Sequence, residues 1–107
     1  MLNQLTLKVI RAWKKATIVE GYDPNVWRKD FAGAWIRLDS FGLTTEYGWE
    51  LDCMRPISQG GDNSEQNIIA LHWQNNRRKG SDYPVFYTSV SSEGNRNVNL
   101  EKKWEIQ

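Results

Sequence analysis

The chain has one cysteine, Cys53, and one histidine, His72, in 107 residues. A lone thiol excludes an internal disulfide and the paired Cys-x-x-Cys ligands of a structural zinc site, so neither staple is expected to hold the fold. A reducing cytosol is the simplest compartment, and the expected location is cytoplasmic. Charge of one sign is also lacking. Lys and Arg number 14 against 13 Asp and Glu, so net charge gives no warrant for nucleic acid and any basic site must be local. No apolar run approaches the length of a membrane span, and no membrane partner is expected. The opening MLNQLTLKVIRAWKK is charged within ten residues and lacks a small-residue cleavage site, which argues against a signal peptide. Repeats, low-complexity tracts and shifts of composition are absent as well, so residues 1–107 read as one domain.

Aromatic rings are abundant. Six Trp, four Tyr and three Phe let a small chain with 39% hydrophobic residues close a core, because each ring buries a large area. Over residues 5–16 the apolar positions Leu5, Val9, Ala12, Trp13 and Ala16 recur at helical steps. Lys8, Arg11, Lys14 and Lys15 fall on the other side and read as a solvated face rather than a nucleic-acid patch. Gly21 and Asp23-Pro24-Asn25 end that pattern with turn chemistry. Gly33, Gly42 and Gly48 then mark turns around a strand-like run at 34–38, and Trp27, Phe31, Trp35 and Phe41 read as core aromatics. At the other end, runs at 85–91 and 98–106 flank a turn at Gly94 and Asn95 and predict an extended hairpin, with a partly helical second run from Leu100 as the alternative.

Functional residue types gather between 47 and 82. A short apolar strand delivers Asp52 and Cys53, stops at Pro56 and passes Gly60-Gly61. A second run at 68–71 leads into a basic segment with Asn75, Asn76, Arg77, Arg78 and Lys79, closed by Gly80. Phosphodiester cleavage needs a divalent cation, a base for the attacking water, and cations that hold the backbone. Asp52 is a hard oxygen donor suited to Mg2+ or Mn2+, and the side-chain carbonyl of Asn76 can complete the protein's share. Arg77, Arg78 and Lys79 lie beside it, where they would meet phosphates.

Glu50-Leu51-Asp52-Cys53-Met54-Arg55-Pro56, the Gly60-Gly61 pair, Asn67, and Asn75-Asn76-Arg77-Arg78-Lys79-Gly80 together resemble the HNH endonuclease motif, whose usual opening is Asp-His-Ile-x-Pro. The order of these residues and the nine-residue step from Asn67 to Asn76 carry the resemblance over about a third of the chain. The preceding WRKDFAGAWIRLDSFG is similar to the lead-in of some small bacterial HNH proteins. The resemblance implies an α+β domain with an N-terminal helix, a ββα-metal core at 47–82 and the C-terminal hairpin. It assigns metal binding to Asp52 and Asn76 and the bracing of the inter-strand loop to Asn67. It also places Cys53 where the family has its general-base histidine.

That departure is the most informative position in the motif. A positioned base contributes ~10²- to 10⁴-fold in rate. Only about a few per cent of a free thiol is ionised at neutral pH, and thiolate is a soft ligand that suits zinc better than magnesium. The expectation is therefore a metal-dependent domain that binds nucleic acid, DNA first among candidates, with weak or lost hydrolysis. His72 does not restore the base, because the family places that group on the strand at position 53. A competing expectation is a catalytically inactive scaffold that keeps the fold for a protein partner. A zinc site from Cys53 and His72 falls short of four ligands.

Overall fold

The first helix starts where Thr6 can cap it. In the computed structural model, which describes residues 5–107, the Thr6 hydroxyl accepts a 3.4 Å hydrogen bond from Val9 N and opens α1 (Leu7–Lys15). Lys14 and Lys15 stand in its last turn, favourably placed against the helix dipole. Residues 1–4, part of the opening read against a signal peptide, lie outside the described residues. The helix is shorter than the periodic stretch 5–16, but Leu5 and Ala16 still pack on its core.

Six strands and a second helix follow α1. They are β1 (Trp27–Lys29), β2 (Trp35–Arg37), β3 (Trp49–Cys53), β4 (Ile68–His72), α2 (Trp73–Lys79), β5 (Val85–Glu93) and β6 (Arg96–Glu105). Consecutive strands pair antiparallel as β1–β2, β3–β4 and β5–β6, so the described residues form a mixed α+β domain with three two-stranded sheets. The radius of gyration is 13.0 Å, as expected of one closed unit of this length.

Cross-strand partners on β3 and β4 share a face. One face carries Trp49, Leu51, Cys53, Ile68 and Ala70 and meets Val9, Ala12 and Trp13 of α1. The Trp13 and Trp49 rings are 5.3 Å apart, and Phe41 packs on Trp49 from 4.9 Å. The opposite face carries Glu50 and Asp52 and meets α2. The β3–β4 hairpin is thus covered by a helix on each side.

A buried carboxylate joins these parts. Asp30 Oδ1 accepts from Ala32 N and Ala34 N, and its Oδ2 accepts from His72 N and Asn75 Nδ2, all at 2.9–3.0 Å. Burial pushes this carboxyl up from the ordinary aspartate value, while the bonds from Asn75, His72 and Ala34 and the nearby His72 pull it down.

Two expectations change, and the C-terminal hairpin is found as expected. The strand read at 34–38 is Trp35–Arg37, and Leu38 opens a 3-10 turn instead. Trp27, Phe31 and Phe41 are only half-buried, so among the four expected core aromatics Trp35 alone is fully inside. The run after Leu100 is strand to Glu105, so the partly helical alternative falls away. Lys102, Trp104 and Ile106 alternate inward with exposed Glu101, Lys103 and Glu105, and Trp104 Nε1 donates to Thr88 Oγ1 at 2.9 Å.

Candidate functional site

The loop between β3 and β4 is tied to itself by one side chain. Asn67 Oδ1 accepts from Arg55 N at 2.8 Å, and its Nδ2 donates to Arg55 O at 2.9 Å and Asp62 O at 2.7 Å. Its backbone carbonyl accepts from Met54 N at 2.8 Å. Gly61 belongs to the same knot. A Cβ there would lie 1.7 Å from Arg55 O, so no side chain fits. This geometry fixes the exit of β3 and therefore where Asp52 stands.

Asp52 and Asn76 are brought to the same side of the hairpin. Glu50 and Asp52 are two apart on β3, and Asn76 and Lys79 are three apart on α2, so two rungs form between strand and helix. In one, Asn76 Nδ2 donates to Glu50 Oε1 at 3.0 Å. In the other, Lys79 Nζ is 3.0 Å from Asp52 Oδ2. That oxygen is buried, and the Lys79 ammonium is the charged partner that compensates it. Burial raises the Asp52 carboxyl above its ordinary value, and the Lys79 ammonium and the Cys53 backbone amide oppose the rise.

Lys79 is not the surface cation that the sequence suggests. Its side chain is 0% exposed, its ammonium also donates to Cys53 O at 3.1 Å, and it lies 5.2 Å from the Phe86 ring centroid. The three-residue basic surface therefore splits. Arg77 and Arg78 remain exposed, with Arg77 3.3 Å from Glu50 and stacked on Trp73, and Arg78 2.8 Å from Glu101 and stacked on Tyr87.

Cys53 leaves the strand on the face opposite Asp52, among Leu51 and the α1 core. Its thiol lies 3.9 Å from Asp62 O. A group at this position can serve a cation at Asp52 only around the end of β3, where Met54 begins the loop. Among the described residues no group of three or more His, Cys, Asp or Glu comes together. The zinc pairing of Cys53 and His72 therefore gains no further ligand from those residue types.

His72 is neither free nor solvent-facing. It is the last residue of β4 and caps α2, with Nδ1 accepting from Gln74 N at 3.1 Å and Nε2 donating to Glu46 O at 2.8 Å. This pattern requires the neutral ring. Burial pushes His72 below the ordinary 6.5, against the Glu46 bond and the charges of Asp30 and Glu50. The unfolded chain takes up the proton first as pH falls, so this stability is present above 6.5 and is lost as pH drops through the folded value. Denaturation midpoints are expected to fall on acidification through that window. His72→Gln should flatten that part of the profile, and an unchanged slope would remove His72 from this role.

Glu50 and Asp30 were not among the residues singled out for the site. Glu50 had a signal, its two-residue offset from Asp52, whereas Asp30 had none beyond turn chemistry. Comparison with known proteins adds nothing to this geometry, since no protein-family model, curated protein or solved structure matches the chain. No helix among the described residues is long and apolar enough to cross a membrane.

Proposed function

We propose that the chain is a degenerate HNH-type domain with a ββα-metal core, one that binds DNA with a divalent Mg2+ or Mn2+ and cleaves it weakly or not at all. The observation that carries this reading is Asn67. It occupies the motif's central position, and its side chain makes the three loop-closing hydrogen bonds that a brace between two strands requires. The order β3, braced loop, β4, α2 supports the same reading.

The donor chemistry fits such a cation. Asp52 offers a buried carboxylate oxygen, here held by the Lys79 ammonium, and Asn76 stands on the same side of the hairpin with an amide oxygen of the hard type these ions prefer. When bound, the cation would neutralise charge on a phosphodiester. Arg77 and Arg78, both exposed, would hold the backbone, and Cys53 replaces the base with a thiol that faces the core side of the hairpin. Hydrolysis is the part of the family chemistry that this chain has compromised.

A second reading is favoured by one contact. The Lys79 ammonium already neutralises Asp52, as it would in a scaffold that no longer uses metal and serves a protein partner instead.

Plasmid DNA incubated with Mg2+ or Mn2+ separates the two. The native chain is expected to nick slowly or not at all, and Cys53→His to gain ~10²- to 10⁴-fold. If neither form nicks DNA or binds metal, the scaffold reading replaces the nuclease one.

A further inference from the structure

One face of the β1–β2 hairpin carries a pattern that the Asp52 and Asn76 site does not use. Trp27 is paired with Arg37 and Lys29 with Trp35, so ring and cation alternate along each strand and exchange places across the hairpin. Arg28 and Ile36 point the other way and are buried. The Arg37 guanidinium sits 5.2 Å from the Trp27 centroid and the Lys29 ammonium 4.8 Å from that of Trp35. Tyr22 and Tyr47 extend the array. Tyr22 lies 4.7 Å from Trp35 at 54°, and Tyr47 lies 4.8 Å from Trp27 at 90°. With Asn95 at the tip of the β5–β6 turn, these four rings line an open cavity of about 260 Å³.

The wall is rigid. Trp35 Nε1 donates to Gly94 O at 2.8 Å, and the Trp35 backbone exchanges two hydrogen bonds with the Asn97 side chain, at 2.6 and 3.0 Å. Asn97 Nδ2 also donates to Glu46 O at 3.1 Å. Preorganised rings lose little entropy when they accept a planar partner.

We infer that this face binds single-stranded nucleic acid, with an unpaired base among Tyr22, Trp27 and Tyr47 and the flanking phosphates on Lys29 and Arg37. Rings stack on any base, because every base has a π-face, and cations interleaved with them follow the backbone. The cavity falls just under the ~300–1,000 Å³ of sites for larger ligands and suits one planar ring system. A quaternary ammonium, the other common guest of aromatic walls, would meet two cations already seated on the indoles. A polyanion is attracted by the same charges. Arg37 is paired with Asp39 at 2.9 Å, but both side chains are about half exposed and such a pair yields to a phosphate. The Glu46 carboxylate lies beside Tyr47, so with Asp39 two carboxylates balance the two cations, and of these Lys29 is the one seated directly on a ring of the wall without a carboxylate paired to it among the described residues. Asn95 adds an amide that can meet a base edge. The inference rests on the nucleic-acid half of the proposed function and is independent of metal and cleavage.

Its test uses the full chain with a labelled oligothymidylate and a duplex of equal length. Anisotropy should show preference for the single strand, and tryptophan emission should be quenched on binding. Tyr22→Ala, at a side chain 39% exposed, should keep the thermal midpoint and weaken single-strand binding about five- to hundredfold. Lys29→Ala should lower the salt slope by about 0.7. Single-strand binding that survives both Tyr22→Ala and Asn95→Ala unchanged overturns the inference and leaves nucleic-acid binding standing. Failure to bind any oligonucleotide overturns both. Binding of a trimethyllysine or proline-rich peptide in place of the oligonucleotide also overturns the inference.

Discussion

Replacing Asn75 by alanine is expected to remove roughly 4 kcal/mol of folding stability, a large share of what a domain of this size possesses. The side chain is 0% exposed and all of its hydrogen-bonding capacity is used. Its Nδ2 donates to Asp30 Oδ2 at 3.0 Å and to Val90 O at 2.9 Å, while its Oδ1 accepts from Ser89 N and Val90 N at 2.8 Å each. Truncation leaves two backbone amides, one carbonyl and part of a buried carboxylate without partners. Each unsatisfied buried group costs about 1–3 kcal/mol, and local rearrangement recovers only some of that. The β5 amides at 89 and 90 lie at the register shift between Thr88 and Val90, where the strand ladder cannot supply a substitute. Asn75→Asp should be comparably harmful, because it removes both donors and sets a second carboxylate beside Asp30. Urea denaturation with an unchanged slope and a lower midpoint is the expected reading. A loss under about 1 kcal/mol would show that water replaces the side chain.

The importance of Asn75 could not be read from the sequence, and the reason is physical. Its partners are far along the chain, Asp30 at a separation of 45 residues, and long-range polar pairing leaves no periodic trace. Asp30 itself sits in WRKDFAGAW, where a carboxylate before a glycine reads as turn chemistry. It does make that turn, through Ala32 N and Ala34 N, but it also reaches β4 and α2. What was legible was whatever follows a short period. The 3.6-residue spacing of Val9, Ala12 and Trp13 gave α1, and the alternation of Lys102, Trp104 and Ile106 lies in plain view along β6. That segment also holds the helix formers Leu100, Glu101, Lys102 and Lys103, and tertiary pairing with β5 overrides their preference.

The candidate site divides along the same line. Asn67 acts over short sequence distances, on Arg55 and Asp62. That Asn76 and Lys79 share one helix also follows from the basic run closed by Gly80. Burial of Lys79 does not, because a run of Arg77, Arg78 and Lys79 looks uniformly solvated. Only the helical phase relative to Asn75 turns the third cation inward, where both residues are buried. The facing of Cys53 toward α1 is a consequence of the strand pleat, yet it acquires meaning only once both helices have taken their sides.

Lys79→Met is expected to destabilise the protein by about 3–5 kcal/mol near neutral pH, since it leaves the Asp52 charge without a partner in a site where that side chain is only 11% exposed. The loss should depend on pH in a defined direction. Burial already raises Asp52 above 3.8, and the Lys79 ammonium is the main influence opposing that rise, so its removal lifts the folded value further. A group raised in the folded state contributes stability that is fully present below its unfolded value and is lost as pH climbs through the folded one. Lys79→Met should therefore approach the native stability in acid and fall away toward neutrality. Asp52→Asn combined with Lys79→Met should recover most of the neutral-pH loss, as expected when both members of a buried pair are neutral. The same variants decide whether the lysine stands in for a cation. If Asp52 can take Mn2+, the ion should raise the thermal midpoint of Lys79→Met and leave the double variant unmoved, because a ligand that binds only the folded state stabilises it in proportion to its saturation. A midpoint in Lys79→Met that is indifferent to Mn2+ would mean that Asp52 serves Lys79 alone, and the scaffold reading would then take precedence over the nuclease one.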